Sequence, residues 1–261
     1  MASNTQLLID LGNTALKCRL CQQSDLSAKV IDFYLTYADS ISWSDQLSEF
    51  LRQYKFNQVV IASVAESYVL QSVEQVLDIM DKSISKTVLQ TVRQFGQVIN
   101  GYKQFQQLGV DRWLALLAVR QMLETSAVII DAGSALKIDL LRQDGLHLGG
   151  AILPGLHTSE QRYRQILQRF NFDESQEIDI SQPALSTASA IQLGYALHGN
   201  FSLDDILDRW MHLLSSPVAI IITGGDRQEV SSQLTRQSKC IDDLVFRGML
   251  IQICSTNETT F

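Results

Sequence analysis

Short apolar runs alternate with longer amphipathic stretches along the whole chain. Leu7-Leu8-Ile9 and Val128-Ile129-Ile130 are typical of buried strands, because apolar side chains follow one another without a polar break. Residues 43–54 instead repeat apolar side chains every three or four positions, which predicts a helix with one buried face. The alternation of the two patterns predicts a mixed α/β protein.

The first half is predicted to form three strands and then alternating helices and strands. The predicted strands are 7–11, 15–20, 29–37 and 59–62, with a further candidate at 86–90. The predicted helices are 43–54, 67–80 and 111–123, and residues 92–108 are predicted to form loops. The second half again begins with three strands, at 127–131, 136–141 and 146–152. After them we predict a strand at 218–223 and helices at 158–170, 187–198, 203–214 (behind a Ser202 cap) and near 243–253.

One segment near the start of the chain is repeated in the middle. Ile9-Asp10-Leu11-Gly12-Asn13-Thr14-Ala15-Leu16-Lys17 returns as Ile130-Asp131-Ala132-Gly133-Ser134-Ala135-Leu136-Lys137. Each copy predicts an apolar strand that ends in Asp, a Gly-containing turn and a second strand. The separation of the copies corresponds to a whole domain rather than to a solenoid unit. We therefore predict two similar domains, residues 1–123 and 124–261, with a cleft between them.

Composition and charge exclude several classes of protein. The 261 residues carry a net charge of −7 and contain no dense Lys/Arg block, which argues against a nucleic-acid partner. No apolar run approaches the roughly 20 residues that a membrane helix needs. The first six residues lack the charged and apolar regions of a secretory signal, so we expect a cytoplasmic protein without a membrane partner.

The first repeated turn, Asp10 to Lys17, has the residues of a phosphate-binding site. Gly12 lets the backbone approach a phosphate, and consecutive N–H groups form an anion-binding concavity to which Asn13 and Thr14 add side-chain donors. Asp10 beside a triphosphate would be repelled unless a cation lies between them, which predicts Mg²⁺ held partly through water. A plain β-hairpin is the alternative for one copy alone.

Two further carboxylates join this hypothesis. Asp131, in the second copy, would converge with Asp10 on the same phosphates, and a bound cation would offset their repulsion. Asp111 opens an apolar helix, where the helix dipole favours a carboxylate in any case. The functional alternative makes Asp111 the general base for a hydroxyl nucleophile and Arg112 an anion-binding residue, since phosphoryl transfer needs mainly alignment and charge neutralisation.

Other motifs carry less information. The glycine clusters at 149–155 and 223–226 would let backbone pack closely against a ligand, but glycine pairs also form ordinary turns. Cys18 and Cys21 have metal-like spacing, yet they lie on a predicted strand without further ligands, so we expect reduced structural thiols. The four histidines show no metal-ligand spacing, although His157 could line the pocket.

The ordered set of motifs resembles the type III pantothenate kinase family, to which the Bvg accessory factor proteins belong. The motifs, which span nearly the whole chain, are Asp10–Lys17, Tyr102, Gly109–Arg112, Asp131–Ser134, Gly149–Gly155, Thr187 to Gly194 and Thr223–Gly225. The most distinctive piece is Leu108-Gly109-Val110-Asp111-Arg112-Trp113. The resemblance implies a duplicated ribonuclease-H-like fold of the actin-like ATPase superfamily, also used by sugar kinases and acetate kinase.

The resemblance further implies an ATP-dependent kinase that phosphorylates pantothenate in the first step toward coenzyme A. Asp10, Leu11, Gly12, Asn13, Thr14, Ala15, Leu16, Lys17 and Ser134 then match the ATP-binding residues. Asp111 matches the proton acceptor, and Tyr102, Gly109, Val110, Asp111, Arg112 and Thr187 match the pantothenate-binding residues. Asp131 matches a ligand of a monovalent cation, K⁺ or NH₄⁺, and members of the family are homodimers.

The chain departs from the family pattern at three positions. Ser134 and Lys137 replace two threonines of the second phosphate motif, and Phe105 lies where a proline is expected between Tyr102 and Gly109. Lys137 would place a positive charge near the implied K⁺ site and weaken its cation dependence. Two alternatives therefore stay open: a catalytically impaired nucleotide-binding regulator, and a related kinase with another small hydroxylated acceptor.

Overall fold

The computed structural model describes residues 5–22, 31–37, 42–155, 179–198 and 203–258. The predicted helix 158–170, His157, the predicted cap Ser202 and the start of the predicted strand 29–37 lie outside these ranges. The chain forms two compact units. The first contains the residues up to Gln90 and those from Val245 onward, and the second runs from Thr91 to Leu244.

The first unit is built on a five-stranded sheet. Its strands are β1 (Thr5–Leu11), β2 (Ala15–Gln22), β3 (Ile31–Thr36), β4 (Gln58–Ser63) and β5 (Ser85–Val88), and its helices are α1 (Trp43–Leu51) and α2 (Ser67–Met80). The order is β3-β2-β1-β4-β5, with β1 antiparallel to β2 and parallel to β4. Leu47 and Leu51 of α1 and Val73 and Leu77 of α2 enter one core with the sheet, because residues four apart share a helix face.

The second unit contains a second five-stranded sheet. Its strands are β6 (Gln94–Phe95), β7 (Val98–Ile99), β8 (Ser126–Ala132), β9 (Ala135–Leu141), β10 (His147–Pro154), β11 (Val218–Thr223) and β12 (Lys239–Cys240). Its helices are α3 (Val110–Met122), α4 (Thr187–His198), α5 (Leu203–Met211) and α6 (Arg227–Gln233). The sheet order is β10-β9-β8-β11-β12, and β6 pairs only with β7 among the described strands.

The two sheets repeat one topology. Each has three antiparallel strands followed by two parallel ones, and the repeated segments form the central hairpins β1–β2 and β8–β9. Asp10 pairs with Lys17 across the first hairpin, and Asp131 pairs with Lys137 across the second. The repetition confirms the predicted α/β class and duplicated ribonuclease-H-like fold.

The connection between the two sheets packs with the second unit. Helix α3 lies against β8 and β9, and its residues from Val110 to Arg120 are all buried. Residues 91–123 therefore belong to the second compact unit, although the predicted boundary at residues 123 and 124 does separate the strands of the two sheets. That boundary stays a prediction.

Short elements account for most differences from the predicted secondary structure. Residues 92–108, predicted as loops, contain the β6–β7 hairpin and a 3₁₀ turn at Phe105–Gln107. Helix α6 was not predicted because Val230 is its one fully buried residue, which leaves no apolar stripe to detect. Two-residue strands likewise carry no periodicity.

The last described helix, α7 (Leu244–Glu258), is associated with the first unit from Val245 onward. The guanidinium of Arg19 lies 4.7 Å from the centre of the Phe246 ring, and Gln252 Nε2 donates to the Gln90 carbonyl at 3.0 Å. Within the described ranges, no helix combines the length and apolarity needed to cross a membrane.

Candidate active site

The second hairpin brings a carboxylate and an ammonium group together. Asp131 and Lys137 are paired on adjacent antiparallel strands, so their side chains lie on the same face of the sheet. The loop between them contains only Gly133 and Ser134. Lys137 Nζ donates to Asp131 Oδ2 at 2.7 Å.

The start of α3 supplies a second carboxylate to the same ammonium group. Gly109 precedes the helix and has no side chain to cap it, and Asp111 accepts the N–H of Arg112 on Oδ1 at 2.8 Å. Lys137 Nζ donates to the other oxygen, Oδ2 of Asp111, also at 2.8 Å. Two predicted site residues, Asp111 and Asp131, are therefore joined through Lys137.

The three charged groups lie near the protein surface and are only partly exposed to solvent. The side chains of Lys137 and Asp131 are 21% and 22% exposed, and that of Asp111 is 9% exposed. Burial opposes ionisation of Asp111, but Lys137 and the Arg112 N–H outweigh it and hold the pKa of the carboxyl below its usual value. The two carboxylates in turn hold the pKa of Lys137 above its usual value despite burial. Lys137 thus bridges the two carboxyl groups through two hydrogen bonds.

A second polar network lies deeper in the unit, behind Asp111. Arg112 donates to both oxygens of Asp139, from Nε at 2.8 Å and from Nη2 at 2.6 Å, and its Nη1 donates to the Tyr102 hydroxyl at 2.8 Å. His147 Nε2 lies 2.7 Å from Asp139 Oδ1, and the ring stacks on Tyr102 with centroids 5.6 Å apart. All four side chains are buried.

This network fixes the direction of Arg112. Burial alone would disfavour the charges, but the Arg112–Asp139 pair together with the His147 contact keeps the pKa of Asp139 below its usual value and that of Arg112 above its own. Burial also raises the pKa of the Tyr102 hydroxyl, which stays neutral. Among the residues that the structure describes, the buried Nδ1 atom of His147 has no hydrogen-bond partner.

The segment before α3 is held by Arg93. Its guanidinium donates to the carbonyls of Asn100, Tyr102 and Lys103 and lies 5.1 Å from the centre of the Phe105 ring. Phe105, which replaces the proline of the family pattern, therefore packs against the residue that organises this segment. No role for Arg93 could be predicted from the sequence, because its partners are backbone carbonyls.

Thr187 lies beside the same segment. It begins α4, and its hydroxyl donates to the carbonyl of Gln107, two residues before Gly109. The residues predicted to bind pantothenate are thus neighbours within the second unit: Tyr102, Gly109–Arg112 and Thr187. Their predicted contacts with a substrate stay predictions.

Glycines let loops pack closely around the second hairpin. A Cβ on Gly155 would lie 2.2 Å from the Gly133 carbonyl oxygen. Gly224 has φ of +93°, and a Cβ there would lie 2.2 Å from the Ala132 carbonyl oxygen. Gly149, with φ of +106°, packs in the same way against Ala184. We had predicted that a ligand would pack closely against these glycines. In the structure the protein backbone makes these contacts instead.

The first hairpin is a separate group of predicted site residues. Gly12 N–H donates to the Ala15 carbonyl at 2.9 Å and closes the turn that presents Asn13 and Thr14. Asn13 and Lys17 are exposed, whereas Leu11 and Leu16 are buried in the core. The residues from Asp10 to Lys17 thus occupy one hairpin end, with polar side chains at its tip.

The cysteine pair lies in the interior of the first unit. Cys18 and Cys21 are buried free thiols, and burial raises the pKa of Cys21 to about 11. Among the described residues no group of three or more His, Cys, Asp and Glu side chains has the geometry to hold a metal ion.

Three features of the site were not predicted from the sequence. They are the two hydrogen bonds that Lys137 donates to carboxylates, and the parts that Asp139 and His147 play in the buried network. The available signal was the alternation of Lys137 and Asp139 in an otherwise apolar strand, because residues two apart share a strand face. It could not identify their partners on α3.

Comparisons with known proteins show which family this chain resembles. The family model described as type III pantothenate kinase matches residues 6–209. The type III pantothenate kinase of Pseudomonas aeruginosa is 33% identical over 171 residues, which cover 64% of this chain and 68% of the relative. That of Pseudomonas syringae pv. syringae is 28% identical over 254 residues, which cover 94% and 97%.

Among solved structures, the activator of the 2-hydroxyisocaproyl-CoA dehydratase from Clostridium difficile aligns over 98% of both chains, at 11% identity and a TM-score of 0.48. The family model covers most of the chain, and the Pseudomonas syringae relative aligns over 94% of it. This chain therefore belongs to the type III pantothenate kinase family, whose reaction is the ATP-dependent phosphorylation of pantothenate in coenzyme A biosynthesis.

Proposed function

We propose that this chain transfers the γ-phosphoryl group of ATP to the primary hydroxyl of pantothenate, with Asp111 as the proton acceptor. The observation that supports this role most strongly is the position of the Asp111 carboxylate. It is fixed at the start of α3 by two donors, at the edge of the solvent, beside the segment from Tyr102 to Arg112. A proton acceptor needs such fixed orientation more than it needs high basicity.

The nucleotide is assigned to the two hairpin ends. Asp10–Lys17 and Ser134 present backbone N–H groups, hydroxyls and an exposed lysine, which suit phosphate oxygens. Members of this family use ATP with a divalent metal. Mg²⁺ on a nucleotide keeps waters and phosphate oxygens and needs only one or two protein carboxylates, so Asp10 fits this role without a larger ligand cluster. When bound, Mg²⁺ would neutralise charge on the phosphates.

The acceptor is assigned to the residues around the start of α3. Arg112 is buried behind Asp111 and uses three of its five N–H groups on Asp139 and Tyr102, so its assignment to the carboxylate of pantothenate rests on the resemblance to the family. Gly109 and Val110 offer backbone close to this position, and Thr187 lies beside them. Tyr102 acts here by orienting Arg112 from the interior.

In the proposed reaction, the pantothenate hydroxyl oxygen attacks the γ-phosphorus as the bond to the β–γ bridging oxygen breaks. The hydroxyl proton passes to Asp111, and ADP leaves. The loose transition state of phosphoryl transfer needs little deprotonation in advance, so a carboxylate with a lowered pKa is sufficient as the acceptor.

The remaining assignments rest on the resemblance to the family. A homodimer and a cytoplasmic location belong to the proposal, and sedimentation of the purified chain tests the first. K⁺ or NH₄⁺ at Asp131 fits less well, because Oδ2 of Asp131 already accepts an N–H of Lys137. We therefore assign no step to a monovalent cation.

An acceptor comparison tests the proposed function. The purified chain is incubated with Mg²⁺ and ATP and with pantothenate, a set of sugars or acetate, with ADP release and product mass as readouts. We expect ADP and phosphopantothenate to form in equal amounts when pantothenate is the acceptor, and no turnover with the sugars or acetate. Turnover of another acceptor would contradict the assignment of pantothenate, and nucleotide binding without any product would favour the impaired regulator.

A further inference from the structure

Lys137 occupies the space between two carboxylates that come from different elements. It reaches Asp131 on the neighbouring strand at 2.7 Å and Asp111 on α3 at 2.8 Å. Of the three N–H groups of the ammonium, two are used in these bonds. The side chain crosses from β9 to the helix start because it extends from the face that Asp131 also occupies.

Two carboxylates that share a cation depend on it for their ionised state and for their position. Without a positive charge between them, Asp111 and Asp131 would repel one another or one would take up a proton. A dissolved cation can supply that charge, but it must be bound from solution. A lysine supplies it covalently, at full occupancy, and with donors that fix the direction of both carboxylates.

The same geometry opposes a dissolved monovalent cation at Asp131. The oxygen that would ligate it lies 2.7 Å from the Lys137 nitrogen, so a second cation there would meet a like charge at close range. The residues present therefore do not fit the K⁺ or NH₄⁺ site that the family resemblance implies. Position 137, a threonine in that pattern, is the residue that differs.

We propose that Lys137 is a built-in cation, which positions Asp111 and removes the need for a dissolved monovalent cation. This inference rests on the proposed function, since it concerns the carboxylate that we assign as proton acceptor. Lys137 is a positioning residue in this scheme: it acts on the reaction through Asp111. An N–H of the same ammonium stays available to a phosphate oxygen or a water.

The test compares the wild-type chain with Lys137→Thr and Lys137→Met at constant ionic strength in choline, Na⁺, K⁺ and NH₄⁺ chlorides. Wild-type turnover should vary less than about twofold among the salts. In choline both variants should lose about 100-fold in kcat with a smaller change in KM for pantothenate, as expected when an oriented acceptor is lost. K⁺ or NH₄⁺ should raise the activity of Lys137→Thr at least tenfold above its activity in choline. The activity of Lys137→Met should rise less, because its thioether offers no hydroxyl ligand.

Thermal unfolding gives a readout that does not depend on turnover. K⁺ should raise the Tm of Lys137→Thr by about 3 °C relative to choline, because a ligand that binds only the folded state stabilises it. The wild-type chain should show no such shift. Lys239→Thr is the matched control, since Lys239 is an exposed lysine on β12 of the same sheet, and it should behave as wild type.

Saturable activation and stabilisation of the wild-type chain by K⁺ would overturn the inference. So would a Lys137→Thr variant that is active in choline and indifferent to K⁺, since Lys137 would then be structural only. A wild-type chain that is inactive in every salt would contradict the proposed function. In that case the Tm comparison would still decide whether Lys137 takes the place of a dissolved cation.

Discussion

The two central hairpins share their backbone pairing but differ in what their charged side chains contact. Asp10 pairs with Lys17 and Asp131 with Lys137, at equivalent positions of equivalent sheets. Lys17 is exposed, whereas Lys137 joins two carboxylates. The loop of the first hairpin is one residue longer, because Gly12, Asn13 and Thr14 stand where the second has Gly133 and Ser134.

The two hairpins also differ two residues further along their second strands, where Arg19 of β2 is equivalent to Asp139 of β9. Arg19 pairs with Asp32 on β3, and Asp32 is 58% exposed. The equivalent Asp139 pairs with Arg112 on α3, and both side chains are nearly inaccessible. The reason is that α3 packs against the second hairpin within its own unit. The ion pair of the first hairpin thus leaves its carboxylate exposed to solvent, while that of the second is buried under a helix that also brings Asp111.

The largest expected effect is on the acceptor carboxylate. Asp111→Asn keeps the shape of the side chain but removes its charge and its ability to take a proton. We expect kcat for phosphopantothenate formation to fall about 1,000-fold while ATP still binds. Steady-state kinetics and a nucleotide-binding titration measure the two quantities, and activity within tenfold of wild type would remove Asp111 from its assigned role.

The next effect is on stability and contrasts the two ion pairs. Asp139→Asn leaves the buried Arg112 without its counter-charge, which should lower the free energy of unfolding by about 3–5 kcal/mol. Asp32→Asn removes the pair at the equivalent position, whose carboxylate is exposed, and should cost less than about 1 kcal/mol. Urea denaturation measures both variants, and equal losses would show that the second hairpin is no more buried in solution than the first.

A smaller effect should separate the two repeated aspartates. Asp10→Asn should lower kcat/KM for ATP about 100-fold and raise the Mg²⁺ concentration needed for half-maximal rate, because Asp10 is assigned to the metal. Asp131→Asn should lower kcat only about tenfold, since Lys137 still holds Asp111. Rates measured across a Mg²⁺ series distinguish the variants, and an unchanged Mg²⁺ requirement in Asp10→Asn would contradict the assignment.

The smallest effect is the response of stability to acid. Asp111 and Asp139 have pKa values lowered on folding, so their stabilisation is complete above the unfolded value of about 3.9 and is lost as pH falls below it. Each should contribute a slope of about 1.4 kcal/mol per pH unit below that point. Unfolding measured from pH 3 to 7 gives this slope. In Asp139→Asn the slope should be smaller by the contribution of one carboxylate.

Sequence reasoning could predict the repeated hairpins because each repeat combines an apolar strand, a terminal Asp and a glycine turn. It also found Asp111, since the residue lies in the most distinctive motif of the chain. It could not find the Lys137–Asp111 bond, because the partners lie on different elements and their approach depends on how α3 packs. His147 gave no signal either, since a single buried histidine has no periodicity, and the glycines near Gly149 and Gly224 face protein backbone rather than ligand.

The most direct test of the account is a crystal structure of the chain with Mg²⁺ and a non-hydrolysable ATP analogue. We predict that backbone N–H groups of both hairpin ends, in Gly12–Thr14 and in Gly133–Ser134, donate to phosphate oxygens at about 3 Å. The γ-phosphate should face the Asp111 carboxylate, with Lys137 still bound to it. A nucleotide held by one hairpin alone, or bound far from Asp111, would contradict the central claim that both hairpins serve one phosphoryl transfer.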